Sequence, residues 1–166
     1  MAKVPNFVGR HLLVDVQCET SNRIASRPLI YDFLEGLSRK LDMTLVYPPF
    51  VASFPFSINE LERYHLELRD KYGADNKIIS RMEQLIEKRR KNDAGVSGVS
   101  VWLESHAAIH TWTEENFFSF DCYSCKEFKS GIVLKYIKDI FDVEKGYGLD
   151  IVRTFDSKQH IKRVMI

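Results

Sequence analysis

The sequence predicts an α+β fold: a two-layer sandwich in which an antiparallel-rich sheet carries helices on one face, with an inserted helical hairpin. Two observations predict this class. The hydrophobic pattern changes period several times along the 166 residues, from strand-like to helix-like and back. The composition, 45% hydrophobic and 28% charged, is typical of a soluble globular domain, and no internal repeat is visible. We therefore expect one domain over residues 1–166.

The first elements are a strand and a helix. Residues 11–18 are short, apolar and partly β-branched, which is typical of a strand. Apolar residues then recur at three- and four-residue steps from Leu29 to Leu41, and Pro28 suits the first turn of this helix. Residues 43–47 predict a second strand. In the segment YPPFVASFPF that follows, we expect the three prolines to forbid regular pairing.

The middle of the chain predicts the inserted hairpin, at about residues 57–92. Ser57 and Glu60 form a possible capping box for a first helix, which Gly73 ends. Residues 75–90 predict a second helix, because apolar side chains recur on one face before the basic run KRRK. We interpret KRRK as a solvated helix terminus and not as a binding patch.

The last part of the chain returns to strands around one more helix. Residues 96–103, 107–112 and 117–123 have strand character, and in the third of these runs apolar and polar residues alternate, which predicts one buried face. Residues 130–143 predict a helix, and residues 149–155 a closing strand.

Charge and composition exclude several classes of partner. The 24 basic and 23 acidic residues give a formal charge of +1, which favours neither nucleic acid nor an anionic membrane surface as a partner. No apolar run approaches the roughly 20 residues that span a bilayer, and the N-terminus lacks the pattern of a signal peptide. Three cysteines suggest free thiols in a cytoplasmic protein.

Several motifs do not support the function that they first suggest. The run GVSGVS lacks the spacing of a phosphate-binding loop. Cys122 and Cys125 have CxxC spacing, but without a second pair we expect no metal; on spacing alone one is buried and the other lies in a loop. Ser105 lacks the flanking glycines of a hydrolase nucleophile, and a lone residue such as His110 is more often structural than catalytic.

Taken together, the residues LESHAAIHTWTEENFFSFDCYSCKEF resemble the short prokaryotic S-adenosylmethionine decarboxylases, which carry an ESH, IHT, aromatic, Glu and downstream Cys pattern. The resemblance is close over residues 95–128 and looser in the first strand and the last helix and strand. Residues 53–92 have no obvious counterpart in the usual short members. The resemblance implies an enzyme that cuts its own chain, builds a pyruvoyl group and supplies the aminopropyl donor for spermidine synthesis.

The resemblance also implies roles for five residues. Ser105 becomes the pyruvoyl group, which forms a Schiff base with the substrate amine, and Glu104 becomes the last residue of the released N-terminal chain. His110 and Ser97 assist this processing, His110 as a base and Ser97 as a hydrogen-bonding partner of the rearranging carbonyl. Cys125 donates a proton to the substrate α-carbon during turnover.

For the substrate, the resemblance implies that Glu114 accepts hydrogen bonds from the ribose hydroxyls of S-adenosylmethionine. The family also stacks the adenine on aromatic rings, one of them at a place where this chain has residues 91–93, which are Lys, Asn and Asp. Phe7 could supply a ring instead, as could Phe50, Phe54 or Phe56; the alternative is that these phenylalanines belong to the core.

Three functions therefore stay open at the level of sequence. The first is decarboxylation of S-adenosylmethionine by a homodimer of cleaved protomers with active sites at the subunit boundary, as the resemblance implies. The second is a related decarboxylase of ornithine or arginine, which would need no adenine pocket. The third is a non-enzymatic homologue whose inserted hairpin binds or regulates a partner, and it requires an intact Ser105.

Overall fold

A seven-stranded antiparallel sheet organises the structure, a computed structural model that describes residues 7–54, 58–90, 95–155 and 160–166. The strands lie in the order β2-β3-β4-β5-β1-β6-β7. The elements are β1 (Phe7–Cys18), α1 (Arg27–Lys40), β2 (Phe50–Phe54), α2 (Ile58–Tyr72), α3 (Lys77–Arg90), β3 (Gly95–Val101), β4 (Ser105–Trp112), β5 (Phe117–Ser124), α4 (Ser130–Ile140), β6 (Val143–Thr154) and β7 (His160–Met165). The predicted α+β class, with an inserted helical hairpin, is confirmed.

Helices α1 and α4 pack against one face of the sheet and form the core with it. Ser26 caps α1 by accepting a hydrogen bond from the Leu29 N–H at 3.3 Å, and Pro28 lies in the first turn as expected. Phe33 is fully buried, and its ring centroid lies 5.6 Å from that of Phe120 on β5 and 5.0 Å from that of Phe141. Burial of one such side chain contributes about 2 kcal/mol.

Gly98 allows α1 to approach β3 closely. A Cβ atom at this position would lie 2.7 Å from Leu34 Cδ1 and 3.0 Å from Ile30 Cγ2, both on α1. This glycine belongs to the run GVSGVS, which forms strand β3 and not a turn ahead of a helix. Packing between helix and sheet therefore explains a glycine at this position.

Two predictions about strands were wrong. Residues 43–47 form no strand; Leu45 makes an isolated bridge to Trp102, beyond the stretch of β3 that pairs with β2. Residues Phe50–Phe54 do pair regularly, antiparallel to β3, because the prolines lie before and after this edge strand. Strand β7 was not predicted; it pairs only with β6 at the opposite edge and is mostly exposed, so it has no clear alternating pattern.

The inserted segment forms the predicted pair of helices, α2 and α3, which pack against each other. Gly73 follows α2 with a φ of +81°, a left-handed conformation that glycine adopts without strain. Asn76 accepts a hydrogen bond from the Ile78 N–H at 2.9 Å in the first turn of α3. Ser57 of the expected capping box lies outside the described residues. None of the described helices is long and apolar enough to cross a bilayer.

The second face of the sheet, which we call the open face, points away from α1 and α4. Successive side chains of a strand alternate between the two faces, and on β4 and β5 one set is more deeply buried than the other. Large apolar side chains are exposed on the open face: Val99, Val101, Trp112, Tyr147, Leu149, Ile161 and Met165.

Candidate active site

Ser105 lies at the first position of β4, in a tight turn that joins this strand to β3. The Trp102 N–H donates to the Ser105 carbonyl at 2.7 Å, and the Ser105 N–H donates to the Trp102 carbonyl at 3.1 Å. Only Leu103 and Glu104 stand between them. Trp102 is buried and its indole N–H donates to Ser100 Oγ at 2.7 Å, which anchors the base of the turn. The Glu104–Ser105 peptide bond is therefore presented at the end of the sheet.

Thr44 fixes the other side of this turn. Its backbone N–H donates to Glu104 Oε2 at 3.0 Å, its hydroxyl donates to Oε1 at 3.3 Å, and its carbonyl accepts from the Leu103 N–H at 2.9 Å. The Thr44 N–H is the main cause that lowers the pKa of the Glu104 carboxyl, and the charge of Lys126 adds a smaller contribution. Thr44 carried no signal in the sequence, since a threonine in an apolar run has no chemical motif.

Cys125 donates twice to the carbonyl oxygen of Glu104. Its backbone N–H lies 3.1 Å from this oxygen and its Sγ lies 3.2 Å from it. Cys125 is exposed in the loop after β5, whereas Cys122 is buried and burial raises the pKa of its thiol. The expectation of one loop cysteine and one buried cysteine is confirmed. Two donors on one carbonyl oxygen stabilise negative charge that develops there.

Ser97 and His110 form a pair of their own on the open face. They are cross-strand neighbours on β3 and β4, and Ser97 Oγ is hydrogen-bonded to His110 Nδ1. The His110 ring packs edge-on against Trp112, with centroids 4.5 Å apart. His110 is five residues after Ser105 on the same strand, which places the two residues roughly 16 Å apart along β4. The structure therefore does not bring this pair to the Ser105 of the same chain.

The two residues predicted to bind the substrate, Glu114 and Phe7, also lie far apart in one chain. Glu114 is exposed in the turn between β4 and β5, beyond Trp112, which is itself roughly 23 Å along β4 from Ser105. Phe7 is half-buried at the first position of β1. Because Arg10 of β1 and Ser105 of β4 both pair with Ser124, Phe7 lies at the same end of the sheet as Ser105 and Cys125.

The other aromatic candidates are less informative. Phe50 is 67% exposed on the edge strand β2, at the level of Val99. The side chain of Phe54, the whole of Phe56 and residues 91–93 lie outside the described part of the chain.

The residues around Ser105 fit the formation of a pyruvoyl group. The chemistry needs a serine, a carbonyl held against two donors and a turn that is fixed on both sides, and Ser105, Cys125, Trp102 and Thr44 supply these features. The group would be attached to β4 as the new terminus at position 105, so that no external cofactor has to be bound.

Comparisons with known proteins give one consistent family. The family model described as S-adenosylmethionine decarboxylase matches residues 10–154. The S-adenosylmethionine decarboxylase proenzyme of Sulfurisphaera tokodaii is 37% identical over 70 residues, which cover 32% of this chain and 57% of that protein. The proenzyme of Thermodesulfovibrio yellowstonii is 44% identical over 72 residues, which cover 43% and 53%. The chain thus spans about half the length of these two relatives.

Two further matches cover more of the matched protein's length. The proenzyme of Clostridium botulinum strain Loch Maree is 27% identical over 108 residues, which cover 54% of this chain and 92% of that protein. The crystal structure of the adenosylmethionine decarboxylase from Aquifex aeolicus matches with a TM-score of 0.54 and 17% identity, over 98% of this chain and 91% of the other. This last match shows the shared fold.

Proposed function

The chain belongs to the S-adenosylmethionine decarboxylase family, and from this premise we propose that it is a pyruvoyl-dependent decarboxylase of S-adenosylmethionine. In this proposal the chain cuts itself between Glu104 and Ser105, and the product is the aminopropyl donor for spermidine synthesis. The observation that carries the proposal is the pair of hydrogen bonds from Cys125 to the Glu104 carbonyl oxygen.

Self-cleavage begins with the Ser105 hydroxyl, which adds to the carbonyl carbon of Glu104. The negative charge that develops on the carbonyl oxygen is stabilised by the N–H and the thiol of Cys125. Loss of the amide nitrogen leaves Glu104 attached to residue 105 through an ester. The bonds from Trp102 and Thr44 hold the turn in place throughout, so little conformational freedom has to be lost at the moment of attack.

The chain then breaks by elimination. A base removes the α-proton of residue 105, the Cβ–O bond breaks and Glu104 leaves as a C-terminal carboxylate. The remaining enamine takes up water, loses ammonia and becomes a ketone. The whole sequence uses atoms of the chain and one water molecule, which is taken up in the last step as ammonia leaves.

We assign the base to His110, supplied by a second protomer. When its Nδ1–H donates to Ser97 Oγ, the Nε2 atom carries the lone pair and can accept the α-proton. Ser105 and His110 of one chain lie roughly 16 Å apart along β4, which supports supply from a second protomer and not from the same one. A homodimer joined through the open face, with its exposed apolar side chains, would place the partner's His110 near Ser105.

The pyruvoyl group supplies an electron sink for the carbanion that is left when carbon dioxide departs from a bound α-amino acid. Cys125 is exposed next to this position, and its thiol gives a proton to the substrate α-carbon. Cys122 stays a buried thiol because burial raises its pKa, so its part is structural.

Substrate binding is then divided between the two protomers. Phe7 lies at the end of the sheet that carries Ser105, where its ring would stack on the adenine. Glu114 lies beyond His110, so the partner's Glu114 would accept hydrogen bonds from the ribose hydroxyls at the same site. All three cysteines are free, which suits the reducing cytoplasm that we propose as the location.

Intact-mass analysis of the purified protein tests the cleavage. We expect two fragments, residues 1–104 and 105–166, of which the second lacks a free α-amine. The Ser105→Ala variant should remain one chain of 166 residues without activity. A wild-type protein that is folded and stays uncut would exclude the proposed function and would favour a binding or regulatory homologue.

A second assay identifies the substrate. Release of labelled carbon dioxide is measured with carboxyl-labelled S-adenosylmethionine, ornithine and arginine under the same conditions. We expect turnover of S-adenosylmethionine alone. Turnover of a basic amino acid in its place would show that the machinery serves a substrate without an adenine ring.

A further inference from the structure

Three ionisable side chains meet on the open face beside the cleavage site, and they have no part in the proposed reaction. His11 Nε2 is hydrogen-bonded to Asp121 Oδ2, which joins β1 to β5. His106 Nε2 lies 3.4 Å from Asp121 Oδ1, so a side chain of β4 contacts the same carboxylate. We call these three residues the His–Asp–His cluster. His106 directly follows Ser105 in the chain.

An aromatic side chain and a cationic side chain lie next to this cluster. Tyr123 is the cross-strand partner of both histidines, and its ring centroid lies 5.7 Å from that of His11 and 6.0 Å from that of His106. The Arg153 guanidinium lies 5.0 Å from the centre of the Tyr123 ring. In the part of the chain that the structure describes, no group of three or more His, Cys, Asp or Glu side chains could hold a metal ion, and this cluster is no exception. The Asp121 carboxylate contacts the two imidazoles, one through each of its oxygens.

Cleavage changes how residue 105 is held. In the intact chain it is fixed by the peptide bond to Glu104 and by two hydrogen bonds with Trp102. The break removes the peptide bond, and conversion to a ketone removes the nitrogen that donates to the Trp102 carbonyl. Of the two hydrogen bonds with Trp102, the one from the Trp102 N–H to the carbonyl of residue 105 is left. A chain terminus frays unless the residues next to it hold it in place.

On the basis of the proposed function, we propose that Asp121 is a positioning residue that holds the terminus created by cleavage. It fixes the imidazole of His106, the first side chain after residue 105, and His11 fixes Asp121 in turn. Both imidazoles present Nε2 to the carboxylate: His11 Nε2 is hydrogen-bonded to Oδ2, and His106 Nε2 lies 3.4 Å from Oδ1. Strand β5 lies in the middle of the sheet between β4 and β1, which makes Asp121 a rigid point of attachment.

The Asp121→Asn and His106→Gln variants test this role in the full chain. We expect both to cleave to the same extent as wild type, because the turn holds residue 105 before the break. In the cleaved variants, kcat should fall about tenfold with little change in KM. The reason is that a small displacement of the reacting atoms lowers the rate of the chemical step more than it weakens substrate binding. Hydrogen exchange of the amides of residues 106–108 in the cleaved protein should become faster in both variants. The double variant should be no worse than the poorer single variant.

Asp139→Asn provides the matched control. Asp139 forms an exposed ion pair with Lys135 on α4, and its substitution should leave cleavage, kcat and exchange unchanged. Normal kcat and normal exchange in Asp121→Asn would overturn the inference. A folded Asp121→Asn chain that fails to cleave would also overturn it, since the role would then precede the break.

The outcomes for the inference and for the proposed function are distinguishable. If circular dichroism shows that Asp121→Asn does not fold, His106→Gln decides by the same measurements, because its side chain is 44% exposed and tolerates replacement. An uncut wild-type protein overturns the proposed function together with the inference. A cut and active wild type beside normal variants overturns the inference alone.

Discussion

Cys125 serves two stages of the proposed chemistry from one position. Its N–H and its thiol both donate to the Glu104 carbonyl before cleavage, and its thiol faces the new terminus afterwards. A single side chain can therefore affect processing and turnover to different extents. Substitutions at this residue separate the two stages.

We predict that Cys125→Ala slows cleavage about tenfold, because it removes one of two donors to the carbonyl and keeps the backbone N–H. Turnover by the cleaved protein should fall further, since the proton donor is lost. The time course of cleavage is followed by intact mass, and kcat is measured on the cleaved fraction.

Cys125→Ser is the companion variant. Its hydroxyl can still donate to the Glu104 carbonyl, so cleavage should approach the wild-type rate. Its kcat should stay low, because a hydroxyl releases a proton much less readily than a thiol. Equal impairment of cleavage and turnover in both variants would contradict the two separate roles of the thiol, as a hydrogen-bond donor in cleavage and as a proton donor in turnover.

At the level of elements, a partly buried ion pair connects β1, β6 and the start of α4. Arg10 donates to the two Asp150 oxygens at 2.7 and 2.6 Å and to the Phe128 carbonyl at 3.0 Å. The Ser130 hydroxyl donates to Asp150 at 2.6 Å. Burial alone would raise the pKa of Asp150, but Arg10 and Ser130 outweigh it and hold this pKa below its ordinary value.

We predict that Asp150→Asn lowers the free energy of unfolding by about 3 kcal/mol near neutral pH, because it leaves Arg10 without its carboxylate. Because the pKa of Asp150 is lower in the folded protein, its carboxylate stabilises the folded state at pH values above the pKa of the unfolded carboxyl. This stabilisation is lost as the pH falls through the pKa of the folded state. The difference between wild type and variant should therefore shrink below about pH 4. Urea unfolding at several pH values measures it. A pH-independent difference would contradict the role of the charge.

We also predict that Gly98→Ala destabilises the protein by about 2 kcal/mol, because the added methyl group meets Leu34 and Ile30 of α1 at 2.7 and 3.0 Å. Gly131→Ala is the control, since nothing lies within 4 Å of a Cβ atom at that position in α4. Its stability should be unchanged or slightly higher. Thermal unfolding of both variants gives the comparison, and equal melting temperatures would contradict close packing at Gly98.

At the level of the whole molecule, the two halves of the proposed site lie far apart in one chain. Ser105, Glu104 and Cys125 are together at the end of the sheet, whereas His110 lies further along β4 on the open face, beside its cross-strand neighbour Ser97 of β3. A second copy related by a two-fold axis would join the two sets twice, once at each site.

Mixed dimers test this arrangement. Ser105→Ala and His110→Ala should each remain uncut when produced alone. When the two are co-expressed in equal amounts, about half of the His110→Ala chains should be cleaved, because random pairing gives that share a partner with an intact His110. Mass tags distinguish the chains. His110→Ala chains that stay whole in the mixture would show that the base acts within one chain.

The sequence allowed most elements to be predicted because their local patterns were strong. The alternation in β5 and the three- and four-residue steps in α1 each reflect one buried face. Residues 43–47 were assigned wrongly because a short apolar run does not reveal which segment pairs with β3. Strand β7 was missed because an exposed edge strand needs no regular apolar pattern.

By itself, the sequence determined the α+β class, and its resemblance to a family gave the hypothesis that Ser105, Glu104, His110 and Cys125 act as a set. Only the tertiary structure decided which members of this set are neighbours. It brings Cys125 to the Glu104 carbonyl, gives Thr44 and Asp121 their contacts, and separates His110 from Ser105. The physical reason is that local periodicity follows from neighbouring side chains, whereas contacts between distant residues depend on the order and register of strands.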